Sequence, residues 1–252
     1  MGDVVLSDSL LKLYLNFKKG ETLSGRDKKR LEQLFAFYKP HLTNKAQYDR
    51  INECADQALI AQSASSGVEG LSVTQLVKKS NLRVILTDDK NQYAYPYVNI
   101  DGNNPIGMNY TGTFKQRPRS KCIEHLKALC EDATKVVVYD KYLCDSKNVR
   151  LGSIAKLLSL FCKCRTLQVE VLLPMGPLFA NQRAAASTWW QNNCSMYSNV
   201  NVSFPQVGLS NSFHDRYMKI IYPKRSIEVL LSSGFDYLFQ NTKDFTYIVT
   251  PV

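Results

Sequence analysis

The 252-residue chain carries 32 Lys and Arg against 22 Asp and Glu, a formal net charge of +10 at pH 7, and 44% of its residues are hydrophobic. That apolar share suffices for a packed core and excludes disorder throughout, while no apolar run approaches the ~20 residues that span a bilayer. The N-terminus lacks a basic stretch leading into an apolar segment and cleavage site, which speaks against a secretory leader and for a cytoplasmic protein.

Seven cysteines include no CxxC pair. They read as buried free thiols of a reducing compartment, with a zinc site as the lesser alternative, so no metal or cofactor is expected. Charge is spread unevenly: residues 1–65 carry a net +2 and residues 66–252 a net +8. Such an excess favours a polyanionic partner, either nucleic acid or an anionic membrane surface.

The chain opens on helical patterns. Leu10, Leu11, Leu13, Leu15 and Phe17 mark a first helix with Gly20 as its C-cap, and Leu31, Leu34, Phe35 and Tyr38 mark a second that Pro40 stops. A third is predicted over 45–62, so that 1–65 forms a small N-terminal helical region. The Ser/Gly-rich stretch 63–70 then reads as a domain boundary, with 66–252 as the main domain.

Beyond that boundary, residues 83–87 and 93–100 read as strands around a turn, with Tyr93, Tyr95 and Tyr97 on one strand face. The tyrosines suit cross-strand packing better than base stacking. Next, Lys115, Arg117, Arg119 and Lys121 crowd seven residues that hold no acid and feed a helix predicted over 120–132. A helix N-terminus favours anions, so this loop reads equally as a phosphate-backbone contact or as a solvated turn. His125 reads as a surface residue of that helix.

From residue 134 strands and helices alternate: strands at 135–140, 166–174 and 199–204, and helices at 153–162 and 181–195. This is the pattern of an α/β layer whose ligands gather at the carboxyl ends of strands, where Asp140 and Tyr142 fall. Last come strands at 212–221 and 227–231 around a turn at 222–226. Period-two alternation puts His214 and Arg216 on one strand face and Asp215, Tyr217 and Lys219 on the other. An imidazole beside a guanidinium suits a phosphate group, and Ser232, Ser233 and Gly234 can bring hydroxyls and amides to the same spot.

The run Phe213-His214-Asp215-Arg216, continuing through Ile221 and followed by Ser232-Ser233-Gly234, resembles the phospholipase D-like superfamily, nearest to its His-Asp-Arg branch. That branch occurs in prokaryotic and phage proteins and is related to the C-terminal domain of MIT-domain proteins. The resemblance covers about residues 70–252. It implies a mixed α/β sheet flanked by helices and a metal-independent phosphodiesterase or nuclease mechanism, with His214 as nucleophile or acid. Arg216 takes the place of the motif lysine, and Ser232 or Ser233 that of the later serine; Lys219 joins the phosphate contacts.

Departures from the motif are specific. Ile221 stands where the family has Asp, no Asn follows Ser233, and no second His motif occurs, so an active enzyme would be a homodimer pairing two His214 rings. The resemblance implies a module gripping DNA or RNA backbone and cleaving it, in prokaryotic defence or a mobile element. The alternative is an inert domain that binds nucleic acid, anionic lipid or protein within a larger complex.

Overall fold

The computed structural model describes residues 2–36, 40–101, 110–145, 151–208 and 216–252. It divides into two compact units, Met1–Tyr110 and Thr111–Val252.

In the first unit, β1 (Val4–Leu6) leads into α1 (Asp8–Lys18) and α2 (Gly25–Ala36). After β2 (His41–Leu42) come α3 (Lys45–Arg50), α4 (Gln57–Ser65) and α5 (Val73–Leu76), then β3 (Ile85–Thr87) and β4 (Tyr97–Asn99). The four strands form one parallel sheet in the order β2-β1-β3-β4. The N-terminal region is therefore α/β rather than purely helical. Its strands of two or three residues are too short to leave a period in the sequence.

The boundary read at 63–70 also moves. Val68 is 3% exposed and packs with Val5, Leu76 and Ile85. Asn44, itself buried, donates to the carbonyls of Val68 and Leu71 at 2.5 and 2.9 Å. Small polar residues here end α4 and clip it to the core instead of forming a linker. The predicted third helix is two, because Asn52 adopts φ +56° and Asp56 starts α4 by accepting from the Leu59 amide at 2.7 Å. Strands β3 and β4 run parallel, so the sequence-predicted hairpin is absent, and Tyr93 and Tyr95 precede β4.

The second unit begins with β5 (Tyr110–Phe114), whose first residue closes the first unit, and α6 (Ser120–Cys130). Then β6 (Lys135–Tyr139), α7 (Leu151–Leu158), β7 (Leu167–Pro174), α8 (Pro177–Asn193) and β8 (Val200–Ser203) alternate as the sequence predicts. The short β9 (Gln206–Val207) is followed by a hairpin of β10 (Arg216–Tyr222) and β11 (Arg225–Leu231), and α9 (Phe235–Leu238) leads to β12 (Phe245–Pro251). The sheet runs β5-β12-β11-β10-β6-β7-β8, with β9 paired to β7. Strands β6, β7 and β8 are parallel, and β10, β11 and β12 antiparallel.

Register explains the core. Val171, Val138, Met218, Val229 and Val249 lie opposite one another across five strands, and each is fully buried. The neighbouring row holds Val169, Val136, Ile220 and Ile227, also at 0% exposure. Full burial of each such side chain contributes about 1.5–3 kcal/mol, which pins the register because a one-residue slip would turn every member outward. This mixed α/β unit is the fold class expected from the sequence.

Candidate functional site

The buried column does not end in an apolar residue. Continuing the β6–β10 register one step past Tyr139 and Tyr217 brings Asp140 opposite Arg216, on the same face as Val138 and Met218. The side chain of Asp140 is only 3% exposed, so its charge needs partners. Its Oδ1 accepts the Tyr142 amide at 3.0 Å, its Oδ2 accepts the Phe235 amide at 3.1 Å, and the Arg216 guanidinium lies 3.7 Å from Oδ1. The Phe235 amide belongs to the first turn of α9, so one carboxylate ties β6, β10 and α9 together.

Gly234 permits this approach. A Cβ there would stand 3.1 Å from Asp140 Oδ2 and 3.6 Å from Arg216 Nε. Arg216 also sits over the Tyr142 ring, 5.5 Å from its centroid, with Lys141 5.0 Å from the same ring. With a side chain 26% exposed, Arg216 keeps donors available on the side away from Asp140.

These groups open onto a cleft of about 620 Å³ lined by Asp140, Tyr142, Ser153, Lys156, Arg216 and Tyr237, with Asp145, Asp236 and Gln240 completing its polar wall. Ser153 donates to Asp236, which fixes that carboxylate against α7. Cys144 is buried behind Asp140, and burial foremost, then the Asp140 charge, pushes its thiol up to about 12, so it stays protonated. Among the described residues no group of three or more His, Cys, Asp or Glu is placed to hold a metal ion.

Of the residues singled out by sequence, Arg216 stands at this cleft, and Asp140 and Tyr142 do too. His214 falls outside the described residues, as does Asp215. Ser232 does not line the cleft; its hydroxyl accepts the Thr246 amide at 2.8 Å and extends the β11–β12 ladder. Ser233 does not line it either, and the chain reaches the cleft at Gly234. Lys219 faces the opposite side of β10, 3.9 Å from its cross-strand partner Glu228.

The basic loop divides as well. Lys115 and Arg117 are exposed, and Lys121 is part-buried with its pKa lowered by that burial. Arg119 is 4% exposed, donates to the Lys243 carbonyl and covers the Phe245 ring at 4.8 Å, so it props the end of β12 rather than meeting a ligand. His125 is likewise internal, with Nδ1 2.8 Å from the Tyr247 hydroxyl, because β12 covers the side of α6 that the sequence left to solvent. Sequence reasoning missed Ser153, Lys156, Asp236 and Gln240. Asp236, two residues past Gly234, was the one signal near a motif.

No family model matches the chain, and no curated protein matches it. Among solved structures, yeast tyrosyl-DNA phosphodiesterase is 12% identical over 56% of this chain and 32% of its own, with a TM-score of 0.29. The polyphosphate kinase of Porphyromonas gingivalis is 13% identical over 57% of this chain and 21% of its own, with a TM-score of 0.35. This chain spans less than a third of the length of either, and the fold assignment rests on the strand order and register of the second unit.

Proposed function

We propose that the second unit is a phospholipase D-like module that seats a nucleic-acid phosphodiester at the Arg216 cleft and cleaves it without metal, using His214. The observation that carries this reading is Arg216 itself: a guanidinium held by a buried aspartate at the mouth of an open cleft, two residues along the chain from the motif histidine. A fixed fork of donors suits a phosphate oxyanion, and Lys156 on the same wall adds a second cation. A single His motif per chain makes the active form a homodimer, two copies supplying nucleophile and acid. Lys115 and Arg117 extend the contact along the backbone.

One observation favours a second reading, in which the module grips nucleic acid without cutting it. Ile221, where the family motif has Asp, is paired opposite Lys135 of β6 inside the sheet and offers the imidazole no orienting carboxylate. Losing that kind of orientation costs about 10⁴ in rate where it has been measured. Purified protein incubated with labelled DNA and RNA in EDTA decides between them. We expect cleavage that His214→Ala abolishes, with binding retained. Binding without cleavage selects the second reading, and cleavage that needs magnesium or survives the substitution overturns the first.

A further inference from the structure

The cleft holds more than a phosphate needs. Tyr142 and Tyr237 both line it, and Tyr142 is 41% exposed, which leaves ring surface open to a ligand. Each ring already carries a cation of the protein: Arg216 and Lys141 over Tyr142, and Lys243 4.7 Å from the Tyr237 centroid. Those charges disfavour a quaternary ammonium headgroup, which would otherwise seek an aromatic cage. A neutral heterocycle meets no such repulsion, and both tyrosine rings and guanidinium planes are stacking surfaces for bases.

On the basis of the phosphodiester reading above, we propose that the cleft takes an unstacked nucleobase beside the scissile phosphate, making single-stranded nucleic acid the substrate class. Arg216 is shared between the two parts of the ligand, with its donors on the phosphate and its face against the Tyr142 platform. Gln240 lines the same cleft and supplies a donor and an acceptor for a base edge. A base paired within a duplex cannot present its face to a side wall, so a duplex loses this contribution.

The test separates base from backbone. Fluorescence anisotropy, in the His214→Ala background so that the ligand survives, compares a labelled oligothymidylate with an abasic oligomer of the same length at one salt concentration. We expect the oligothymidylate to bind about tenfold or more tighter than the abasic strand or a duplex. Tyr142→Leu should erase most of that difference, whatever it does to abasic binding through Arg216, while Tyr142→Phe preserves it. Equal binding of the base-containing and abasic strands overturns the base site and leaves the phosphate grip standing. A duplex bound as tightly as the single strand also overturns it. Binding of neither strand, with the protein folded by circular dichroism, overturns both.

Discussion

Arg30 in the first unit and Arg216 in the second each meet an aspartate just past the carboxyl end of a parallel strand, β3 and β6, yet their surroundings diverge. Arg30 bonds the Asp88 carboxylate at 2.7 Å and reaches Asp101 at 3.3 Å, and Asp88 also accepts the Ser9 hydroxyl at 2.6 Å. Two carboxylates consume that guanidinium, leaving its side chain 12% exposed. Among the described residues Arg216 pairs with one carboxylate, at 3.7 Å, and it is 26% exposed above an open cleft. Similar residue chemistry thus closes a structure in one unit and presents a donor in the other. What separates them is how much of the arginine's hydrogen-bonding capacity the protein itself consumes.

The largest expected effect comes from removing the buried carboxylate of the second pair. Asp140→Ala leaves the Tyr142 and Phe235 amides without their acceptor and Arg216 without its counter-charge, and should destabilise the second unit by about 3–5 kcal/mol. Both tryptophans, Trp189 and Trp190, lie in that unit, so urea titration followed by tryptophan fluorescence reads it selectively. Polyanion affinity should fall as well, because Arg216 loses its anchor. Arg30→Ala is the control: it should cost the first unit about 1–3 kcal/mol and leave nucleic-acid affinity unchanged. A comparable loss of affinity in both variants would dissolve the distinction between the two pairs.

Acid should separate the units in the opposite direction. Burial foremost, and then the nearby Lys18 charge, lower the pKa of His41 from 6.5 to about 4. Between those values the unfolded chain binds a proton that the folded one refuses. Stability of the first unit is therefore full above about pH 6.5 and falls as pH drops toward 4, by up to about 3 kcal/mol. Circular dichroism should register this loss while tryptophan fluorescence stays flat, and His41→Gln should remove it. An NMR titration placing His41 near 6.5 would sink the prediction.

How far these features could be read in the sequence follows from the range of the interactions that make them. The β6–α7–β7–α8–β8 alternation and the β10–β11 hairpin were legible because long buried strands write their period into the chain. In the first unit α1, α2, β3 and β4 were read from their patterns, but β1 and β2 were not, since strands of two or three residues write no period, and the parallel pairing of β3 with β4 depends on β1, distant in sequence. Arg216 and Asp140 were visible singly, but their pairing is a matter of register. Arg119 and His125 misled for the same reason: Lys243, Phe245 and Tyr247, which enclose them, lie more than a hundred residues away. The serines implied by the motif were off by one step, because Ser232 joins the ladder and the chain turns into the cleft at Gly234.

That step makes Gly234 the finest probe of the comparison. Its φ of −57° is open to any residue, so Gly234→Ala tests space rather than backbone freedom. The added methyl would lie 3.1 Å from Asp140 Oδ2, a contact the carboxylate can relieve by moving a few tenths of an ångström. Stability should drop by about 1 kcal/mol, at the low end for overpacking. The carboxylate cannot move alone, since its other oxygen faces Arg216, so the guanidinium shifts with it and polyanion affinity should weaken a few-fold. A variant that loses stability but binds unchanged would show that the placement of Arg216 does not depend on Asp140. The contrast with Arg30 would then reduce to exposure alone.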